Sequence, residues 1–280
     1  MSSSSQRTLV ILDERGAAAR LPSQIASLVQ GYRIIHLADT RHAPYCTLSR
    51  VSAARLVLLC LDLVRGYGIS AVLLASAAAA RAALPAVRIG CARAGIALHE
   101  GASLAAREVV RRHRFGDVAV LGGEIVDERA VAEALAEAGL SARMRAVPLD
   151  LAPLGEAGKD ALGRLVEAQR TQVGTYVLGS SEAARIADLI RRFDPDAVIV
   201  EADAALAAEV AVALEAEPAA GKTASTVIRC ATEASEHWQE RIAELAGVAP
   251  DAVAGRWVMP AGPSEGPFAV ALDEDGDPID

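Results

Sequence analysis

Short aliphatic, often β-branched runs alternate with longer Ala-rich runs of helical period along the whole chain. The strand-like runs fall at residues 8–12, 33–38, 71–75, 87–90, 117–121, 142–147, 175–179, 197–200 and 226–230. Between them lie helix-period segments at 48–65, 102–113, 127–138, 160–170, 182–192 and 205–214. Strands that alternate with helices predict parallel sheets covered on both faces, an α/β architecture.

The pattern repeats itself faintly. Val72-Leu73-Leu74-Ala75-Ser76 and Val177-Leu178-Gly179-Ser180 are both apolar strands that end in a serine before an Ala-rich helix. Leu9-Val10-Ile11-Leu12 likewise has a counterpart in Val118-Ala119-Val120-Leu121, again before a turn. The repeat distance is that of one α/β lobe, so the chain reads as two pseudo-symmetric lobes with the two serines facing one another across a cleft.

Composition narrows the function classes. The 280 residues are enough for two packed lobes, and with 52% hydrophobic but only 3% aromatic residues the cores must be built from small aliphatic contacts. A formal charge of −8 argues against a nucleic-acid partner, since nothing neutralises a phosphate backbone. The basic run Arg107, Arg111, Arg112, His113, Arg114 reads as a solvated helix face. Cys46, Cys60, Cys91 and Cys230 have neither metal-ligand spacing nor the density of a disulfide framework, and neither a metal nor a cofactor is expected. Cys60, in an apolar run, reads as core, and Cys91 as a structural residue after the strand at 87–90. The Ser-rich start, Met1 to Arg7, leads straight into a strand, and charges or glycines break every apolar stretch before spanning length. No leader and no membrane span are expected, which makes the cytoplasm the default address.

The most specific stretch is Ala38-Asp39-Thr40-Arg41-His42-Ala43-Pro44-Tyr45-Cys46-Thr47-Leu48-Ser49. It resembles the ADT-x-x-x-PYG-x-x-S segment of glutamate racemases. Asp13-Glu14-Arg15-Gly16 stands where that family carries a strand followed by Asp-Ser-Gly, and Val72 to Ala80 where it has its first catalytic motif, ACNTA. Val147-Pro148-Leu149 with Pro153 to Gly158 resembles its CPL…PLVE-x-G, and Val177 to Glu182 its second catalytic motif, LGCTH. Thr226 to Gly247 resembles its closing strand and helix. The resemblance runs in order from about residue 8 to 247. It implies a first lobe of residues 1–98 with about 210–248, a second lobe of 99–209, and a homo-oligomer. Residues 249–280, with scattered prolines and a final acidic run, read as a solvated tail.

The family's chemistry, by the same resemblance, is cofactor-free inversion at an α-carbon by two cysteines on opposite faces of the substrate. One thiolate removes the α-proton and the other thiol returns one. Here Ser76 and Ser180 occupy those two positions, and a serine hydroxyl is a far weaker acid with no evident base beside it in the sequence. Cys46 takes the place of the Gly of PYG and is expected at the pocket wall beside Pro44 and Tyr45. Where the family binds the substrate's amino and carboxylate groups, this chain has Asp13-Glu14, Ala77-Ala78, Gly123 or a neighbour, and Ser181-Glu182. Donors have become methyl groups, and the added carboxylates of Glu14 and Glu182 disfavour a dicarboxylic ligand. Two readings follow. In one, the chain is a non-catalytic relative that acts as a binding, regulatory or partner subunit for an amino-acid-like, carboxylate or amine ligand. In the other it is an isomerase or lyase in which Asp13, Glu14 and Glu182 move protons on a different substrate.

Overall fold

A computed structural model describes residues 7–147, 156–215, 223–233, 235–254 and 266–279. Two sheets form, and every strand pair in them is parallel. The first contains β1 (Arg7–Glu14), β2 (Tyr32–Asp39), β3 (Ile69–Leu74) and β4 (Ala97–Glu100). The second contains β5 (Asp117–Leu121), β6 (Met144–Val147), β7 (Val173–Leu178) and β8 (Val198–Glu201), in the order β6-β5-β7-β8. The chain then returns to the first sheet with β9 (Thr226–Ala231) and β10 (Val253–Ala254), giving the order β10-β9-β2-β1-β3-β4. β1, central in its sheet, is buried along nearly its whole length, as a strand covered on both faces requires.

The helices are α1 (Leu21–Leu28), α2 (Arg50–Leu63), α3 (Ala77–Ala94), α4 (Gly101–Arg112), α5 (Glu128–Glu137), α6 (Glu156–Gln169), α7 (Ala187–Phe193), α8 (Ala202–Glu215) and α9 (Glu236–Ala246). Several begin at the side chains best suited to the task. Ser49, Asp127 and Ser235 each accept the N–H three residues on, starting α2, α5 and α9. Between the sheets α4 and α8 fill one shared apolar layer, in which Leu9, Ile11 and Leu73 meet Val109, Leu206 and Val210, and then Val118, Val120, Val177 and Val200. On the outer face of the first sheet, Val10, Leu12, Ile35 and Leu37 pack against α2 and α3. Leu162, Val166 and Ile190 cover Leu121, Tyr176 and Leu178 of the second.

Two sequence expectations need correction. Residues 87–90 are not a strand but lie inside α3, where the high helix propensity of the Ala77–Ala86 stretch carries the helix past Pro85 to a left-handed Gly95. Cys91 is therefore a buried helical residue. The stretch 266–279 is not a free tail. Phe268 is 1% exposed and packs with Val270 into the α2–α3 side of the core, while Asp277 takes a two-pronged ion pair from Arg50 at 2.6 and 3.0 Å. The sequence hides this strap because its apolar residues, Phe268, Val270 and Leu272, are set among prolines and acids. Pro148 to Gly155, part of the CPL…PLVE resemblance, lies outside the described residues, as do Pro260 and Pro263.

Candidate functional site

In parallel sheets, the strand C-termini and the loops that follow them are where ligand-facing groups collect. Asp13 and Glu14 end β1, and Ser76 follows β3. Ser76 is fully buried and starts α3, with its Oγ accepting the N–H of Ala79 at 3.0 Å. The same hydroxyl donates to Glu14 Oε1 at 2.5 Å. Glu14 Oε2 in turn accepts the Tyr45 N–H at 3.0 Å, and the Tyr45 hydroxyl donates to Asp39 at 2.6 Å. Asp39 also accepts from Thr232 Oγ1 at 2.7 Å. The Ala-Asp-Thr and Pro-Tyr pieces are thus a scaffold that fixes the Glu14 carboxyl. Burial pushes the pKa of Glu14 above the carboxylate norm, opposed by its bonds to Ser76 and Tyr45 and reinforced by Asp13 and Asp39.

The second half repeats the arrangement. Ser180 follows β7, is 3% exposed, and caps the next turn by accepting the Ala183 N–H at 3.2 Å. Its carboxylate neighbour is Glu124, in the loop after β5. That loop can approach because Gly122 sits at φ +63°, and because a Cβ on Gly179 would run into the Gly122 carbonyl. Burial dominates the upward shift of the Glu124 pKa, with Glu182 and Glu14 adding to it. Yet Glu124 as a residue is solvent-exposed. Water that reaches the exposed residue screens part of the shift.

The neighbouring groups are committed elsewhere. Asp13, fully buried, accepts the Ala18 N–H and lies 3.2 Å from His36 Nε2, so it pins the turn after β1. Ser181 Oγ donates to buried Asp203 at 3.2 Å and accepts the Arg20 N–H at 3.1 Å. Burial raises the Asp203 pKa, while Arg20 opposes the rise. Glu182 pairs with Arg241. Ala77 is buried and Ala78 half-buried, while Gly123 is exposed. Pro44 is half-buried, Tyr45 buried, and Cys46 exposed on the one-turn helix Tyr45–Thr47.

Each serine therefore has a carboxylate beside it, which corrects the expectation that no base is near. The expected repulsion from Glu182 is likewise weakened by Arg241. Sequence reasoning missed Glu124, Arg20, Asp203 and Arg241. Only Glu124 left a signal, since it follows the strand that echoes β1, where Glu14 stands. Among the described residues no group of three or more His, Cys, Asp or Glu is placed to hold a metal ion, and no helix is long and apolar enough to cross a membrane.

No protein-family profile and no curated protein sequence matches the chain. Solved structures do. A glutamate racemase isoform from Bacillus anthracis superposes with a TM-score of 0.70 at 16% identity, covering 87% of this chain and 95% of the other. Glutamate racemase from Thermus thermophilus, solved with β-chloro-D-alanine, gives 0.64 at 19% identity over 90% and 96%. The Escherichia coli enzyme, solved with L-glutamate and an activator, gives 0.60 at 20% identity over 86% and 92%. Likeness of this extent at such low identity establishes architecture, and the chain has the two-sheet α/β fold seen in these glutamate racemases.

Proposed function

We propose that this chain is a racemase-fold protein that does not invert amino acids by the two-thiol route, and that it serves as a small-molecule-binding, regulatory or partner subunit. One observation carries the reading. Where the family has its thiols stand buried hydroxyls that accept backbone N–H groups, Ser76 at the start of α3 and Ser180 in the turn after β7, with Glu14 and Glu124 beside them. A serine hydroxyl stays protonated near neutral pH and has no thiolate-like state to cycle through. The ligand proposed is an amino-acid-like, carboxylate or amine compound, bound without a cofactor, and the assembly proposed is a homo-oligomer.

A second reading rests on the same pairs. Glu14 and Glu124 take equivalent places in the two halves, and both have raised pKa values, the property that suits a carboxyl to acid–base work. Here they would move protons on another substrate. Proton NMR of an amino-acid panel in D2O separates the readings, with ligand-induced thermal shifts run beside it. The first expects no α-proton exchange above background and a thermal shift with at least one carboxylate or amine. Exchange that disappears in Glu14→Gln and Glu124→Gln but survives in Ser76→Ala would establish the second. Exchange of glutamate that disappears on Ser76→Ala or Ser180→Ala would sink both.

A further inference from the structure

Arg229 is the one buried arginine among the described residues, at 5% exposure, and it stands within β9. In register beside it are His36 on β2 and Val253 on β10, so neither neighbouring strand offers it a carboxylate there. Asp13 lies beyond His36, on β1, where it holds the Ala18 N–H. The Arg229 Nη2 donates to the hydroxyl of Ser23 on α1, while its buried Nε has no partner among the described residues. Burial lowers the Arg229 pKa, and no neighbouring carboxylate opposes the fall. Other arginines are treated differently. Arg20, Arg145 and Arg241 are all more exposed, yet each holds an acidic side chain.

A guanidinium kept out of water is strongly disfavoured unless an anion balances it, and a hydroxyl supplies an acceptor without the charge. The residue that Arg229 reaches has the same deficit. Ser23 is exposed and stands in the first turn of α1, where the peptide dipoles concentrate positive charge. That turn has neither a side-chain cap nor an acidic residue. We propose that Arg229, Ser23 and the start of α1 form a site for a small tetrahedral oxyanion of the phosphate or sulfate type. The guanidinium meets the anion from the sheet, the Ser23 hydroxyl turns to donate to it, and the helix start adds its positive field. Donors that come from both a strand and a helix suit a tetrahedral ion better than a flat carboxylate. The inference goes beyond the proposed function and stands whether or not Glu14 and Glu124 serve an amino-acid ligand.

Thermal melts of the intact chain in rising inorganic phosphate, with ionic strength held constant by sodium chloride, test this. The site predicts a rise in Tm that saturates, below the concentrations at which phosphate stabilises proteins generally, and that sulfate reproduces. Arg229→Gln should weaken the apparent phosphate affinity at least about tenfold. Ser23→Asp keeps the guanidinium and supplies the negative charge from within the chain, so the test does not depend on folding without Arg229. It should raise Tm in phosphate-free buffer and abolish the phosphate response, and adding Arg229→Gln should remove the gain. A gain that persists in the double variant would belong to the helix start alone and overturn the proposal. So would a Tm that ignores phosphate at constant ionic strength, or an undiminished phosphate response in Ser23→Asp.

Discussion

Glu14 holds its carboxyl between the Ser76 hydroxyl and the Tyr45 N–H, and burial sets its pKa above the usual carboxylate value. A group whose folded pKa exceeds its unfolded one contributes stability below the unfolded value, and loses that contribution as pH rises through the folded value. The protein should therefore become more stable as pH falls from neutral towards the upper side of ordinary carboxylate titration. Glu14→Gln imitates the protonated form, offering its amide N–H to Ser76 and its carbonyl to Tyr45. It should raise Tm at neutral pH by about a few degrees and flatten that rise, as measured by thermal melts across pH. A lower Tm at neutral pH together with an unchanged slope would exclude Glu14 as the source. A related expectation concerns the serines. In this interior burial alone pushes the Cys91 thiol up to about 12. Thiols placed at 76 and 180, each beside a carboxylate, face the same burial plus added negative charge. The double variant Ser76→Cys, Ser180→Cys should therefore leave glutamate racemisation at background in a polarimetric or coupled assay. Substantial turnover would mean that the surrounding groups are better suited to glutamate than Ala77, Ala78 and Glu182 suggest. At this scale the sequence was legible where a motif fixed the register, as for Ser76, Ser180 and Glu14. Glu124 left only the echo of β1 as a signal, because Gly122 and Gly123 separate it from the strand end and blur its alignment with Glu14.

Among the elements, α3 and the strap at 266–279 explain one another. Gly90 lies in the helix with no side chain, and a Cβ there would sit 2.7 Å from the Phe268 ring and 2.9 Å from the Pro267 carbonyl. The gap is where the strap crosses. Phe268→Ala should cost about 3–5 kcal/mol of stability by denaturant titration, the range for losing a buried aromatic ring. A loss below about 1 kcal/mol would mark the strap as loosely held. The pair also shows why a sequence misleads here. Pro85 and Gly90 are breakers in isolation, so residues 87–90 read as a separate strand. Only the distant Phe268 gives the glycine its reason. The strands β1, β2, β5, β7 and β9 were legible because each is an apolar run placed between polar turns. β4 and β10 were not, because one is half-exposed and the other two residues long.

For the whole molecule, alternation along the chain was enough to give parallel sheets and two related halves. It gave neither the order of strands nor the way the halves close on each other. Strand order depends on contacts between segments far apart in sequence, such as β2 beside β9, where Ile34 pairs with Val227 and Leu37 with Cys230. That pairing has a consequence for how the chain is made. The strands β5 to β8 follow one another without interruption, so a growing chain on the ribosome holds that whole sheet early. The first sheet is split. β2 is translated long before β9, and until Ala231 has emerged one edge of β2 presents unpaired peptide groups. The nascent protein must carry that open edge through synthesis of its entire second half.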